Sequence, residues 1–287
     1  MKLALGTAQF GLDYGIANNN GQVAISEVKN ILGYAKEKGV LTLDTASGYG
    51  NSEKILGEFG VNDYKIITKT IPLKNGVNEV IKAFHQSLDN LNVDQVYGLL
   101  IHNIVDTKDK MFGDLLNKLN ILKEEGVINK IGFSIYTPQQ VEFLLKNFDF
   151  DLIQLPFNIL DRRMIDSGLL ALLHSKDIEI HARSVFLQGL LLMSEKNRPN
   201  KFNRWSSLWN IWHKWLNDNK ITALEATIRH TISVPEISKV FFGVDNLYQL
   251  KEIFIASSGT LPKIPDELST DDSDLLNPMN WRNSLKL

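Results

Sequence analysis

LTLDTASGYGNSE, residues 41–53, holds a strand end, a loop and a helix start in one short run. Leu41 and Leu43 read as an apolar strand that ends in Asp44; a glycine-containing loop then presents Tyr49, and a helix opens near Asn51. Two later segments have the same form. KIITKT carries an apolar strand into Lys69, and VYGLLIHN carries one into His102. A carboxylate, a phenol, an amine and an imidazole thus each stand at or just beyond the C-terminal end of a predicted parallel strand. In an α/β chain folded as a (β/α)8 TIM barrel, those ends converge on the face where catalytic loops meet.

Outward from this run, strand and helix patterns alternate along the chain, as parallel βαβ units do. LALGTA (3–8) is the first strand. The helix SEVKNILGYAKEKG (26–39) follows, with Ser26 as N-cap, Val28, Ile31, Leu32 and Ala35 on one face, and Gly39 closing it. Further strands are expected at 41–46, 64–70, 96–103, 130–135, 152–158, 178–186 and 240–244. Helical patterns lie between them, and Pro138 suits the first turn of one. The strands are near-continuous apolar runs, as expected where both faces of a sheet are covered. The whole chain, 1–287, is expected to form one barrel domain, with an insertion at about 190–220 and a C-terminal tail from about 261. The insertion carries Trp205, Trp209, Trp212 and Trp215, the first three at i, i+4 and i+7 of a helix face. That stripe either packs on the barrel or walls the substrate pocket.

Composition narrows the class. With 287 residues, 44% of them hydrophobic, the chain is long enough for a large, well-buried core. A formal net charge of −2 argues against nucleic acid or an anionic membrane as the main partner. The chain has no cysteine, so disulfides and thiolate metal sites are excluded, and no metal is expected. The opening MKLALGTAQFG breaks at Gly6, too early for a secretory signal, and no run approaches the roughly 18 apolar residues of a membrane span. A soluble, cytoplasmic protein is expected; nothing in the sequence marks an oligomeric interface.

The chemistry of the four strand-end residues is coherent. A free tyrosine holds its proton at a pKa near ~10. A neighbouring ammonium is expected to lower that value, and a carboxylate paired with the ammonium to hold it in place. A nearby imidazole can donate to a carbonyl oxygen as charge develops. Asp44, Tyr49, Lys69 and His102 in this order resemble the Asp–Tyr–Lys–His tetrad of the aldo-keto reductases. The resemblance implies a TIM barrel that reduces an aldehyde or ketone, a sugar among the candidates, with NADP(H) or NAD(H), and Tyr49 as general acid/base. It covers about residues 1–256.

Further segments match the family's cofactor residues. Gly6 and Thr7 match its opening pair on the first strand. GFSIY matches the fifth-strand motif that holds the nicotinamide carboxamide: Ser134 is kept, but Ile135 stands where an Asn is usual. Gln154 in IQLPFN is the implied second carboxamide partner. In HARSVFLQGLL, Arg183 replaces an aromatic that stacks on the nicotinamide, and a planar guanidinium also stacks. Ser184, Phe186, Gln188 and Gly189 would follow the pyrophosphate. After the eighth strand, FGVDNLYQLKE matches the adenosine-phosphate loop, whose helix start is expected to offer N–H groups to a phosphate. Yet Gly243, Asp245 and Gln249 stand where NADP-dependent members carry basic residues, which leaves the choice between NADPH and NADH open. In this family a C-terminal segment crosses the barrel mouth; Trp281 is placed to do so here, or else lies on a solvent-exposed tail. Two other readings stand beside this one: a dinucleotide-binding regulatory barrel with little turnover, and a lyase or isomerase acting on a sugar phosphate.

Overall fold

The structure, a computed structural model, describes residues 1–281. Eight parallel strands close into a barrel in chain order: β1 (Leu3–Gly6), β2 (Thr42–Asp44), β3 (Lys65–Lys69), β4 (Val96–Ile101), β5 (Ile128–Ser134), β6 (Leu152–Pro156), β7 (Glu179–Arg183) and β8 (Ile237–Phe242). β8 returns to pair with β1, Ala4 opposite Phe241, so no sheet edge is left open. The expected strands are all present, most of them a few residues shorter at the loop end. The helix after β1 runs Ile25–Glu37 with Ala24 at its N-cap, so Ser26 lies inside the first turn rather than capping it. No helix among the described residues is long and apolar enough to cross a membrane.

In a closed barrel, successive side chains point alternately to the lumen and to the outer helices. Ala4, Ile67, Leu100, Leu152 and Phe241 form a buried cluster. Glycines make room for it. A Cβ on Gly98 would stand 2.8 Å from Leu152 Cδ2, and one on Gly132 2.0 Å from the Leu152 carbonyl oxygen. One period of the pleat further along the same strands come Gly6, Lys69, His102, Gln154 and Gly243, all lining a cavity at the C-terminal face. The alternation that fills the lumen therefore also aims these residues at one space.

The N-terminal end of the barrel is polar. Glu179, first residue of β7, accepts from the Tyr97 hydroxyl at 2.6 Å and the Lys130 ammonium at 2.5 Å, and pairs with His181 Nε2 at 2.7 Å. Burial alone would raise its pKa, but His181, Lys130 and Tyr97 together hold it well below the usual carboxylate range.

The tryptophan-bearing insertion forms short 3-10 turns and then a helix, Ser206–Asn219. Trp209, Trp212 and Trp215 are buried on it, packed with Leu160, Leu187 and Leu190 in a second cluster. Their indole N–H groups donate to the carbonyls of Phe202, Leu191 and Lys263. Trp205 lies just before the helix, at its N-cap position. The stripe thus packs on barrel loops; the reading of it as a pocket wall fails, since the insertion reaches the cavity through Leu192 and Met193 instead. Nor is the tail a solvated strand at Trp281. That residue is buried edge-on against Phe202, 5.0 Å between ring centres, while Pro278 and Met279 face the cavity.

Glu179→Gln leaves the shape intact but removes the charge that Lys130 is bonded to. It is expected to destabilise the fold by about 3 kcal/mol at neutral pH. Urea unfolding of both proteins checks this; equal midpoints would show that the cluster adds nothing to stability.

Candidate active site

The cavity at the C-terminal face has a volume of about 630 Å³, within the range of ligand sites. Every catalytic and cofactor residue singled out from the sequence lines it, from Gly6 and Thr7 at the end of β1 to Gly243, Asp245 and Gln249 beyond β8. At its floor, Lys69 Nζ lies 2.7 Å from Asp44 Oδ1 and 2.9 Å from the Thr45 carbonyl. Gln154 Nε2 donates to the same Asp44 oxygen at 2.7 Å. Both charges are buried. Burial lowers the Lys69 pKa, against the opposing pull of Asp44.

Tyr49 stands beside this pair, with the Lys69 ammonium 4.8 Å from its ring centre. Its loop is fixed by a contact between two backbones. A Cβ on Gly11 would fall 1.8 Å from the Tyr49 carbonyl oxygen, and one on Gly50 2.2 Å from the Gly11 carbonyl oxygen. Thr7 supports the same wall: its hydroxyl donates to the Asp44 carbonyl at 3.0 Å and accepts from Ser52 at 2.8 Å. Tyr49 as a whole is half-buried, set in the cavity wall. Burial is the main reason its pKa lies well above the ordinary value, with Asp44 and Tyr14 adding to the rise and Arg183 opposing it. The expected lowering by Lys69 is thus not the outcome. The ammonium is tied to Asp44, and a neutral pair offers little field to outweigh desolvation.

His102 follows β4 directly, its backbone N–H donating to Thr70 Oγ1 at 3.3 Å. Burial, then Lys69, lowers its pKa to about 4. At neutral pH it is therefore an uncharged imidazole with one N–H to give.

Along the other wall, Ser134, Gln154 and Arg183 stand on adjacent strands, Ser134 paired in register with Gln154 and Arg183 with Pro156. A carboxylate accepts only from the NH₂ of Gln154, so Oε1 faces away from Asp44; it is buried and has no partner among the described residues. A buried acceptor left open in this way fits the amide N–H₂ of a nicotinamide. Arg183 stacks on Tyr136, 4.3 Å from guanidinium carbon to ring centre, and donates to the Ile135 carbonyl at 2.9 Å and Ser184 Oγ at 3.3 Å. Beyond it the chain turns sharply, with left-handed backbone at Ser184 (φ 59°), Leu187 (φ 49°) and Gln188 (φ 54°) before Gly189. Three such non-glycine residues are costly, the kind of strain that gathers at ligand sites. The loop after β1 bridges to this turn. Ala17 N–H donates to the Gln188 carbonyl at 3.4 Å, and Gln188 Nε2 to the Tyr14 hydroxyl at 3.3 Å.

The end beyond β8 differs from expectation. At the start of the helix Leu247–Ala256 several N–H groups are already engaged within the protein. Asp245 N–H donates to Gln249 Oε1 at 2.7 Å, Gln249 N–H to Asn246 Oδ1 at 2.9 Å, and Leu247 N–H to Glu27 Oε1 at 2.6 Å. Glu27, Tyr14 and Tyr136 were not singled out from the sequence. Tyr136 directly follows GFSI, so its strand-end position was legible; the other two come from loop and helix positions with no local signal.

Comparison with known proteins agrees with this geometry. Among solved structures, an aldo-keto reductase from Bacillus halodurans is 20% identical with a TM-score of 0.72, covering 91% of this chain and 88% of that one. The glycerol dehydrogenase of Gluconobacter oxydans is 20% identical with a TM-score of 0.70, with the same coverage; at such identities these likenesses show the fold. An uncharacterized oxidoreductase of Bacillus subtilis, YqkF, is 26% identical over 257 residues, 78% of this chain and 79% of that protein. The model of the aldo/keto reductase family matches residues 2–265. With the barrel closed, the four strand-end residues gathered in one cavity and the match running nearly end to end, the chain belongs to the aldo/keto reductase family of oxidoreductases.

Proposed function

We propose that this protein reduces the carbonyl group of an aldehyde or ketone with a nicotinamide dinucleotide, Tyr49 giving the proton. The observation that supports this best is the meeting of Asp44, Lys69, Tyr49 and His102, from different strand ends, in one cavity beside the open acceptor of Gln154. The reduced nicotinamide, when bound, supplies a hydride to the carbonyl carbon. Ser134 and Gln154 would hold its carboxamide, the turn from Ser184 to Gly189 with Phe186 would receive the pyrophosphate, and Gly243 to Gln249 would receive the adenosine.

A carbonyl oxygen seated between Tyr49 and His102 takes the Tyr49 proton. Neutral His102 donates its N–H to the same oxygen and so favours the charge that grows there. The raised pKa of Tyr49 keeps the phenol protonated until that charge appears. Lys69 then faces the phenolate, held in position by Asp44. Alcohol oxidation uses the same groups in reverse.

Tyr49→Phe is expected to lower carbonyl reduction by about 10²–10⁴-fold while leaving dinucleotide affinity nearly unchanged. Steady-state rates with a panel of carbonyls, beside a fluorescence titration of dinucleotide, check both halves. Near-normal turnover in the variant would sink the mechanism. Tight binding with no turnover by the wild type would favour the regulatory reading.

Lys69→Met leaves Asp44 as a buried charge whose remaining partner is a neutral amide. It is expected to abolish activity and to cost about 3–5 kcal/mol of stability. A variant as stable and active as the wild type would show that the pair is dispensable.

We further propose that NADH binds at least as tightly as NADPH. Two N–H groups of the helix start that would receive a 2′-phosphate, those of Leu247 and Gln249, are already bonded to Glu27 and Asn246, the Asp245 N–H before them to Gln249, and Asp245 adds a carboxylate. Each missing charged hydrogen bond removes about 1.5–3 kcal/mol, so two remove two or more decades of preference for the phosphate. Both dissociation constants at one ionic strength, repeated with Asp245→Arg, decide it. NADPH binding a hundredfold tighter than NADH would contradict this reading. A ratio that Asp245→Arg leaves unmoved would place the adenosine elsewhere.

A further inference from the structure

Arg183 stands out electrostatically at the chemical end of the cavity. Lys69 is neutralised by Asp44, and His102 is uncharged at neutral pH. Arginine keeps its charge throughout the useful pH range. Among the described residues no carboxylate lies within ion-pair distance of Arg183; it donates to a carbonyl and a hydroxyl, both neutral. Its guanidinium carbon lies over the Tyr136 ring, 4.3 Å from the ring centre.

Its place relative to Gln154 is set by the sheet. Gln154 of β6 pairs with His181 of β7, and Arg183 lies one pleat period further along. With strands about 4.8 Å apart and a rise of about 3.3 Å per residue, the two backbones are separated by roughly 8 Å. A flat ring whose amide is held by Gln154 Oε1 therefore lies within reach of the guanidinium. Such a ring is neutral when the nicotinamide is reduced and carries a positive charge when it is oxidised.

The geometry points to Arg183 as the residue that makes this protein hold the reduced dinucleotide in preference to the oxidised one. The inference rests on the dinucleotide reading above. Two like charges held near one another in a protein cavity repel. Delocalisation over guanidinium and ring, and the nearby pyrophosphate, temper that repulsion, so the expected bias is about tenfold in dissociation constant. A neutral ring escapes the repulsion and keeps the stacking.

The test is calorimetric titration of the wild type, Arg183→Gln and Arg183→Lys with NADH and with NAD⁺. The wild type is expected to bind NADH about tenfold or more tightly than NAD⁺. Arg183→Gln should bring the ratio close to one, chiefly because NAD⁺ binds more tightly, while Arg183→Lys keeps most of the bias. Equal affinity of the wild type for both forms would overturn the assignment without any variant. So would a ratio unchanged in Arg183→Gln, and so would an equal loss for both forms, which would mark a structural or pyrophosphate-binding role. Failure of the wild type to bind either form would instead remove the dinucleotide reading and the assignment with it.

Discussion

Two opposite charges buried side by side govern the upper end of this barrel. Lys69 and Asp44 are both shielded from water, and in such a place a lone charge is far more costly than a paired one. Asp44 ends β2, Lys69 ends β3, and Gln154 reaches the same carboxylate from β6. Strands distant in the sheet are thereby tied at one point. A slip of β2 by one residue would turn Asp44 out of the lumen and leave the ammonium alone. The register of the site is thus enforced by electrostatics as well as by hydrophobic burial.

Beneath that point, Ile67, Leu100, Leu152 and Phe241 separate two polar layers. Across that layer, buried groups at the two ends settle in different charge states at neutral pH, although both pKa values fall. At the top, no acid among the described residues is bonded to the His102 ring, and burial beside a cation drives it to the neutral form. At the bottom, Glu179 gathers three partners and stays ionised in spite of burial. Desolvation acts on both; the bonded partners decide the result. One layer serves stability, the other is placed for chemistry.

Much of this was legible in the sequence because strand ends and pleat period are local properties. Once 41–53 is read as strand, loop and helix, Asp44 and Tyr49 are placed, and the same reading of KIITKT and VYGLLIHN places Lys69 and His102. The illegible parts depend on contacts between distant segments. Glu27 meets the N–H of Leu247 across 220 positions of sequence, and nothing near either residue announces it. Gln154 has an acidic partner 110 positions away, so its open acceptor is visible only when the lumen is closed. The direction of the Tyr49 shift was misjudged for a related reason. Counting neighbouring charges gives a sign, but burial decides which contribution wins.

Arg183 bears on both halves of the proposed reaction, with opposite signs. Its field pulls the Tyr49 pKa down, which eases departure of the proton. The same field disfavours the positive charge that hydride departure leaves on a ring stacked beside it. During the chemical step these effects offset one another, since one charge of each sign appears near the guanidinium. They cease to offset afterwards. When Tyr49 regains a proton from water, the negative charge is gone, and only the repulsion on the oxidised ring remains. A cation at this position therefore changes the hold on the spent dinucleotide more than it changes the barrier. An aromatic ring there would stack as well but leave that hold untouched.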